Sequence, residues 1–271
     1  MIKLIAVDID GTLLNDQGQI LPATIQAVKQ ATAAGKKVVL CTGRPLCGVT
    51  DYLKQLELWQ QADQYVISYN GSLIQTTNQV TLLSHQLQFN DYLDLLELAH
   101  QNKATFSLLT PDCMYVEPED VNEIILKEAA TVSIELQQQS AAKMETLSDL
   151  VPVKGMVLDE PAKLDQLEKV MPTEFKQRFT VLRSQIDHLE FTHSHPLASK
   201  EYALQQLAKR LGIKPAEVMA IGDEKNDLGM LKTAGMGIAM GNAVPELQAL
   251  ADQITTDNNH NGVGEAIAKW Q

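Results

Sequence analysis

The chain has 271 residues, enough to bury a large core and to hold two domains. Its apolar fraction of 45% and charged fraction of 21% are those of an ordinary globular protein. The formal net charge of −12 argues against a nucleic-acid surface and against anionic membranes, so a site for an anionic substrate would need metal and lysine to reverse the field locally. No run approaches the roughly 18 apolar residues of a membrane span. The N-terminus enters a strand directly, and no signal peptide is expected. Cys41, Cys47 and Cys113 are odd in number and lack C-x-x-C spacing, which reads as reduced thiols in a cytoplasmic protein.

In chain order, Ile5, Ala6 and Val7 form an apolar run suited to a buried strand, and Asp8 and Asp10 follow with one residue between them. Continued strand geometry would put both carboxylates on one face. Two aspartates there repel, and a hard, oxygen-seeking ion such as Mg²⁺ would let them sit together. Gly11 allows a sharp turn, and Thr12 adds a hydroxyl and an N–H for an anion. Residues 22–31 read as a helix with Pro22 in its first turn. A second strand at 37–41 implies a right-handed parallel crossover, and Thr42-Gly43-Arg44-Pro45 opens the next helix. A third strand covers 65–68, then comes the turn Tyr69-Asn70-Gly71. Residues 72–74 and 80–83 are expected to form a hairpin.

The rhythm changes near Ser84. Residues 91–100 are amphipathic, with Tyr92, Leu95, Leu96 and Ala99 on one face. Strands are expected at 105–109, 114–116, 153–158, 179–183 and 188–192, and helices at 121–130 and 161–171. Such mixing marks an α+β insert. The first rhythm returns at Ser199, with a helix at 200–211, a strand at 218–221, the turn Gly222-Asp223-Glu224-Lys225-Asn226-Asp227, a helix at 228–234, a strand at 236–240 and a helix at 246–251. The expected fold is α/β: a doubly wound parallel-sheet, Rossmann-like core from 1–83 and 193–271, with an α+β cap inserted over 84–192. Gly241-Asn242-Ala243 is read as structural, packing beside the site.

Four turns fall at the carboxyl ends of four expected parallel strands, where ligands bind in open α/β sheets. They carry Asp8 and Asp10, Thr42 and Arg44, Asn70 and Gly71, and Asp223, Asn226 and Asp227, and Lys200 begins the helix before the last strand. Each is weak alone, and their joint occurrence is specific.

On these motifs the whole chain resembles the haloacid dehalogenase superfamily, and within it the Cof-type sugar phosphatases with an inserted cap. DIDGTLL, TGR, the lysine of SKEYAL and GDEKND match the family's four motifs in order, with Glu201 where the family often has glycine. The resemblance implies that Asp8 is the nucleophile, that Asp10 is the general acid and then the base, and that Asp8, the Asp10 carbonyl and Asp223 hold Mg²⁺. It implies further that Thr42 and Lys200 hold the phosphoryl oxygens, Lys200 with a catalytic role, that Gly43, Arg44, Asn70 and Asn226 line the substrate site, and that Asp227 orients Lys200 or the metal shell.

Alternatives stay open at single positions. Lys200 could be a solvated helix-start lysine, Thr42 a helix N-cap, Arg44 a salt-bridge partner or a substrate contact, and Asn70-Gly71 only a turn. A carboxylate at Glu201 could change the partner of Lys200 or point to solvent. His188, His193 and His195 have no spacing that suits one zinc ion, and His193 could meet substrate at the hinge. The expected activity is Mg²⁺-dependent hydrolysis of a small phosphorylated metabolite, a sugar phosphate by the resemblance. The alternatives are a phosphomutase or other phosphotransferase, and a non-enzymatic phospholigand-binding regulator, against which the intact Asp10 counts. The sequence leaves the oligomeric state open.

Overall fold

The structure is a computed structural model that describes residues 1–193 and 198–270. The chain divides into two units, Met1–Leu83 with Ser199–Gln271, and Ser84–Ala198. The first unit begins with β1 (Leu4–Val7), whose four residues are all buried, and a wide turn over Ile9–Leu13. Proline at the start of α1 (Pro22–Ala33) presets the helical φ, and β2 (Lys37–Cys41) follows. A tight turn at Cys47–Val49 precedes α2 (Thr50–Gln55), so the helix after Thr-Gly-Arg-Pro starts later than expected. Then come β3 (Tyr65–Ser68), the turn Tyr69–Gly71, β4 (Leu73–Thr76) and β5 (Thr81–Ser84). Asn70-Gly71 joins β3 to β4, an antiparallel pair; Asn70 itself has φ 54°, which asparagine tolerates better than most residues.

The second unit contains α3 (Phe89–Gln101), β6 (Phe106–Leu109), β7 (Cys113–Val116), α4 (Glu123–Thr131), β8 (Glu135–Gln138), α5 (Ala141–Met144), β9 (Lys154–Leu158), α6 (Pro161–Val170), α7 (Thr173–Arg178), β10 (Phe179–Gln185) and β11 (His188–His193). Its strands form one sheet in the order β10-β11-β9-β6-β7-β8, antiparallel except for β7 and β8. One face carries Phe106, Leu108, Val157, Leu189 and Phe191, which share a core with Tyr92 and Leu95 of α3 and Leu164 and Leu167 of α6. The sequence reading missed β8, α5 and α7. Glu135–Gln138 is a polar, half-exposed strand without alternation, and α5 and α7 are too short to show a period. His193 still pairs with Phe179, so the unit extends past the expected boundary at 192. His195 lies outside the described residues.

The first unit resumes with α8 (Lys200–Arg210), β12 (Val218–Gly222), α9 (Leu228–Thr233), β13 (Met236–Ala239), α10 (Pro245–Leu250), β14 (Gln253–Ile254) and α11 (Gly262–Trp270). Its sheet has the order β14-β13-β12-β1-β2-β3-β4-β5, and the pairs from β14 through β3 are parallel. β1 and β12 are apolar throughout and buried throughout, as strands covered on both faces must be. From β1 the chain winds through β2 to β3; from β12 it winds the other way to β14. The order therefore reverses between β1 and β12, and Asp8 and Asp223 stand at the carboxyl ends of those two strands. This is the expected doubly wound α/β core with an inserted α+β cap. Among the described residues no helix is long and apolar enough to cross a membrane.

Candidate active site

The turn after β1 separates its two carboxylates. The Leu13 N–H reaches the Asp8 carbonyl at 3.2 Å and the Leu14 N–H the Ile9 carbonyl at 3.0 Å, which closes a wide loop. Gly11, at φ +77°, bends that loop, and a Cβ there would collide with the Asp223 carboxylate. Because β1 ends at Val7, the same-face geometry of a continued strand does not apply. Asp8 is 7% exposed, whereas the Asp10 side chain is 58% exposed.

Each carboxylate has a protein cation beside it, Lys200 at Asp8 and Arg44 at Asp10. Lys200, the first residue of α8, is buried, and its Nζ lies 2.5 Å from Asp8 Oδ1 and 2.7 Å from Asp227 Oδ1. Ser199 caps α8 by accepting the Tyr202 N–H at 3.2 Å, and Gly71 leaves no room for a Cβ against the Ser199 backbone. Packing thus fixes where the lysine starts. Asp227 Oδ2 accepts the N–H groups of Asp223 and Glu224 at 3.0 and 3.1 Å. Asp223 Oδ1 accepts the Thr12 hydroxyl at 2.6 Å.

Oxygens of Asp8, Asp223 and Asp227 lie within 4.8 Å of one another, all three residues are buried, and Lys200 is paired with two of them. Burial pushes the Asp8 carboxyl well above the usual range against the pull of Lys200, and pushes Asp223 up to about 6. Burial alone would lower Lys200, but Asp227 and Asp8 outweigh it and hold the ammonium charged. Three carboxyls share one ammonium in a nearly dry place. Asp227 already takes Lys200 and two backbone donors, which leaves Asp8 and Asp223 as the carboxylates suited to a cation. An all-oxygen donor set of this kind fits a hard divalent ion.

Outside the cluster, Arg44 grips Asp10 with two bonds, Nε to Oδ2 at 3.0 Å and Nη2 to Oδ1 at 2.6 Å, and its guanidinium lies 5.8 Å from the Tyr52 ring centroid. Nothing in the sequence singled out Tyr52. Thr42 is buried and accepts the Arg44 N–H at 3.1 Å, so its hydroxyl closes the local turn and does not cap a helix. Its carbonyl accepts the Asn70 N–H at 2.9 Å. Asn226 Nδ2 donates to Asn70 Oδ1 at 3.2 Å, and a Cβ at Gly43 would press on the Asn70 amide. All the residues matched to the four motifs, and Asn70, lie in the first unit, whereas His193 lies in the second. Glu201 leans over Gly229 of α9, while Lys200 takes Asp8 and Asp227. His188 is buried between Asp187 and Glu128 in the second unit, and His193 ends β11.

The family model of haloacid dehalogenase-like hydrolases matches residues 5–267. The Bacillus subtilis protein named "Putative phosphatase YxeH" is 39% identical over 98% of this chain and 97% of its own. The 5-amino-6-(5-phospho-D-ribitylamino)uracil phosphatase YcsE of the same organism is 29% identical, over 99% and 96%. The crystal structure of a haloacid dehalogenase-like hydrolase from Bacteroides thetaiotaomicron superposes with a TM-score of 0.89 at 28% identity, covering 99% of both chains. With four motifs on one sheet edge and the whole chain matched, this protein belongs to the haloacid dehalogenase-like hydrolases and is a phosphatase of the Cof type.

Proposed function

We propose that the enzyme hydrolyses a small phosphorylated metabolite, a sugar or polyol phosphate, with Mg²⁺ and through an aspartyl-phosphate on Asp8. The observation that carries this is the division of labour between Asp8 and Asp10. Asp8 is buried against Lys200 beside Asp223, and Asp10, two residues on, faces outward on Arg44. A nucleophile and an acid–base group need those different surroundings. Asp8 attacks phosphorus, and the bond from phosphorus to the alkoxide breaks as Asp10 gives that oxygen a proton. Asp10, now a carboxylate, takes a proton from water, whose oxygen attacks phosphorus and releases Asp8. Lys200 and the Thr42 hydroxyl meet the phosphoryl oxygens, with Gly43, Arg44, Asn70 and Asn226 around the ester. Asp8, Asp223 and the Asp10 carbonyl would hold Mg²⁺, which supplies positive charge against the phosphoryl group. The name of the YcsE relative gives a phosphoribityl compound as its substrate, which supports a sugar-like ester here. The inserted unit is read as the part that sets substrate choice.

A panel of sugar, polyol, nucleotide and aryl phosphates, assayed for phosphate release with Mg²⁺ and with chelator, tests this. Sugar and polyol esters should lead, and chelation should stop turnover. Full activity in chelator, or an isomeric phosphate product in place of free phosphate, would overturn the reading.

A further inference from the structure

Two asparagines that the reaction leaves without a task stand behind the turn that carries Asp10. Asn242 Nδ2 donates to the Gly11 carbonyl at 2.8 Å, and its Oδ1 accepts the Asn258 N–H at 3.1 Å. Asn258 is buried, and its Nδ2 donates to the Leu14 carbonyl at 3.0 Å and to Asp16 at 3.1 Å. Its Oδ1 accepts from Asn259 at 3.3 Å. Each amide therefore uses both ends, which fixes its orientation.

The position of these bonds matters. Asp10 (φ −78°, ψ 120°) and Gly11 (φ 77°, ψ −2°) are not helical, so the loop between Asp8 and Leu14 cannot hold itself as a helix would. The bonds from Asn242 and Asn258 take the two carbonyls that bracket Thr12 and Leu13. The same short segment, 241–244, also grips the second acidic turn, for the Val244 N–H donates to the Asp223 carbonyl at 2.9 Å. One strap thus fixes the turn of Asp8 and Asp10 relative to the turn of Asp223.

We propose that Asn242, backed by Asn258, is a positioning residue for phosphoryl transfer: it holds the Gly11–Thr12 peptide, one step beyond Asp10, so that the Asp10 carboxyl stays in reach of the leaving oxygen. This rests on the roles given to Asp8 and Asp10 above. A displacement of about 1 Å at a reacting group can cost on the order of 100-fold. The loss should be largest where the proton from Asp10 matters most, with a poor leaving group.

The test compares kcat/KM for phenyl phosphate and p-nitrophenyl phosphate in Asn242→Ala, Asn242→Asp, Asn258→Ala and the double alanine variant, with thermal unfolding of each. Asn242→Ala should lose roughly 30-fold on phenyl phosphate but about threefold on p-nitrophenyl phosphate, with KM nearly unchanged. Asn242→Asp keeps the acceptor for Asn258 but sets oxygen against the Gly11 carbonyl, so it should do no better. The double variant should lose at least as much as Asn242→Ala, because each side chain holds its own carbonyl of the turn, and a smaller loss would overturn the proposal. Equal losses on both esters, or no loss, would overturn the proposal. Should Asn242→Ala not fold, Asn258→Asp carries the same comparison, since it keeps the N–H to Asn242 and removes the donor to Leu14. Asp8→Asn separates the two readings. Turnover surviving in Asp8→Asn sinks the nucleophile assignment, whereas an inactive Asp8→Asn with equal ester losses in Asn242→Ala sinks only the strap.

Discussion

Both units bury a lysine against carboxylate, and the two arrangements differ in their balance of charge. In the second unit Lys154 of β9 meets Glu190 of β11 at 3.1 Å, with Ser184 donating to the same carboxylate at 2.8 Å. In the first unit Lys200 is paired with two of three clustered carboxylates, Asp8, Asp223 and Asp227. A buried lysine matched by a carboxylate can serve the fold alone. A buried cluster left with surplus negative charge costs stability, and the chain keeps it because the surplus is there to be used.

Amide substitution separates the two. Asp8→Asn should lower phosphate release on the order of 10⁴-fold or more, because an amide does not attack phosphorus. The same change relieves the surplus, so its melting temperature should hold or rise. Retained turnover, or a clear drop in melting temperature, would break the comparison. Lys200→Met should remove activity and also cost about 3–5 kcal/mol in denaturant unfolding, since it takes the ammonium from two buried carboxylates, Asp8 and Asp227.

In the second unit the signs reverse. Glu190→Gln removes the carboxylate that Lys154 meets at 3.1 Å and should cost about 3 kcal/mol, although it touches none of the residues assigned to the reaction. The double change Lys154→Met with Glu190→Met should recover most of that loss, because it leaves no buried charge facing a neutral partner. Denaturant midpoints of the three variants decide this. A double variant as unstable as the single would show that the pair does more than neutralise itself.

The same difference explains what was legible in the sequence. The first unit could be read because its strands are continuous apolar runs, each ending in a short polar turn, as β1 before Asp8 and β12 before Asp223 show. Residue types and chain order place those turns on one sheet edge. They do not place the two side chains that follow β1, because the loop departs from strand geometry at Ile9 and turns Asp10 outward to Arg44. Sequence reasoning takes Asn242 only as packing beside the site and misses Asn258, for another reason: they act through single amides on backbone carbonyls more than 200 residues away. No local pattern marks such a bond. In the second unit short elements such as α5 and the edge strand β8 carry too few turns or alternations to show a period.

Acidity offers the finest test, because both units contain a group pushed upward for opposite reasons. Burial raises Asp223 to about 6 from an ordinary 3.8, so the fold prefers it protonated. Its favourable contribution is full below about 3.8 and is lost as pH rises through 6. His188 is raised above its ordinary 6.5: burial pulls it down, but Glu128 at 3.2 Å and Asp187 at 2.6 Å more than compensate. Its contribution is full below about 6.5 and is lost as pH rises through its higher folded value. Metal-free protein should therefore lose stability in two windows, one between pH 4 and 6 and one above 6.5. Asp223→Asn should reduce the first, part of which belongs to the buried Asp8, and His188→Gln the second, each measured as melting temperature against pH. Mg²⁺ added at pH 7.5 should restore what Asp223 lost, because a bound cation supplies the missing charge, and should leave the loss at His188 untouched. If Mg²⁺ gave the same shift in Asp223→Asn as in the unchanged protein, the surplus charge of the first unit would not be what holds the cation.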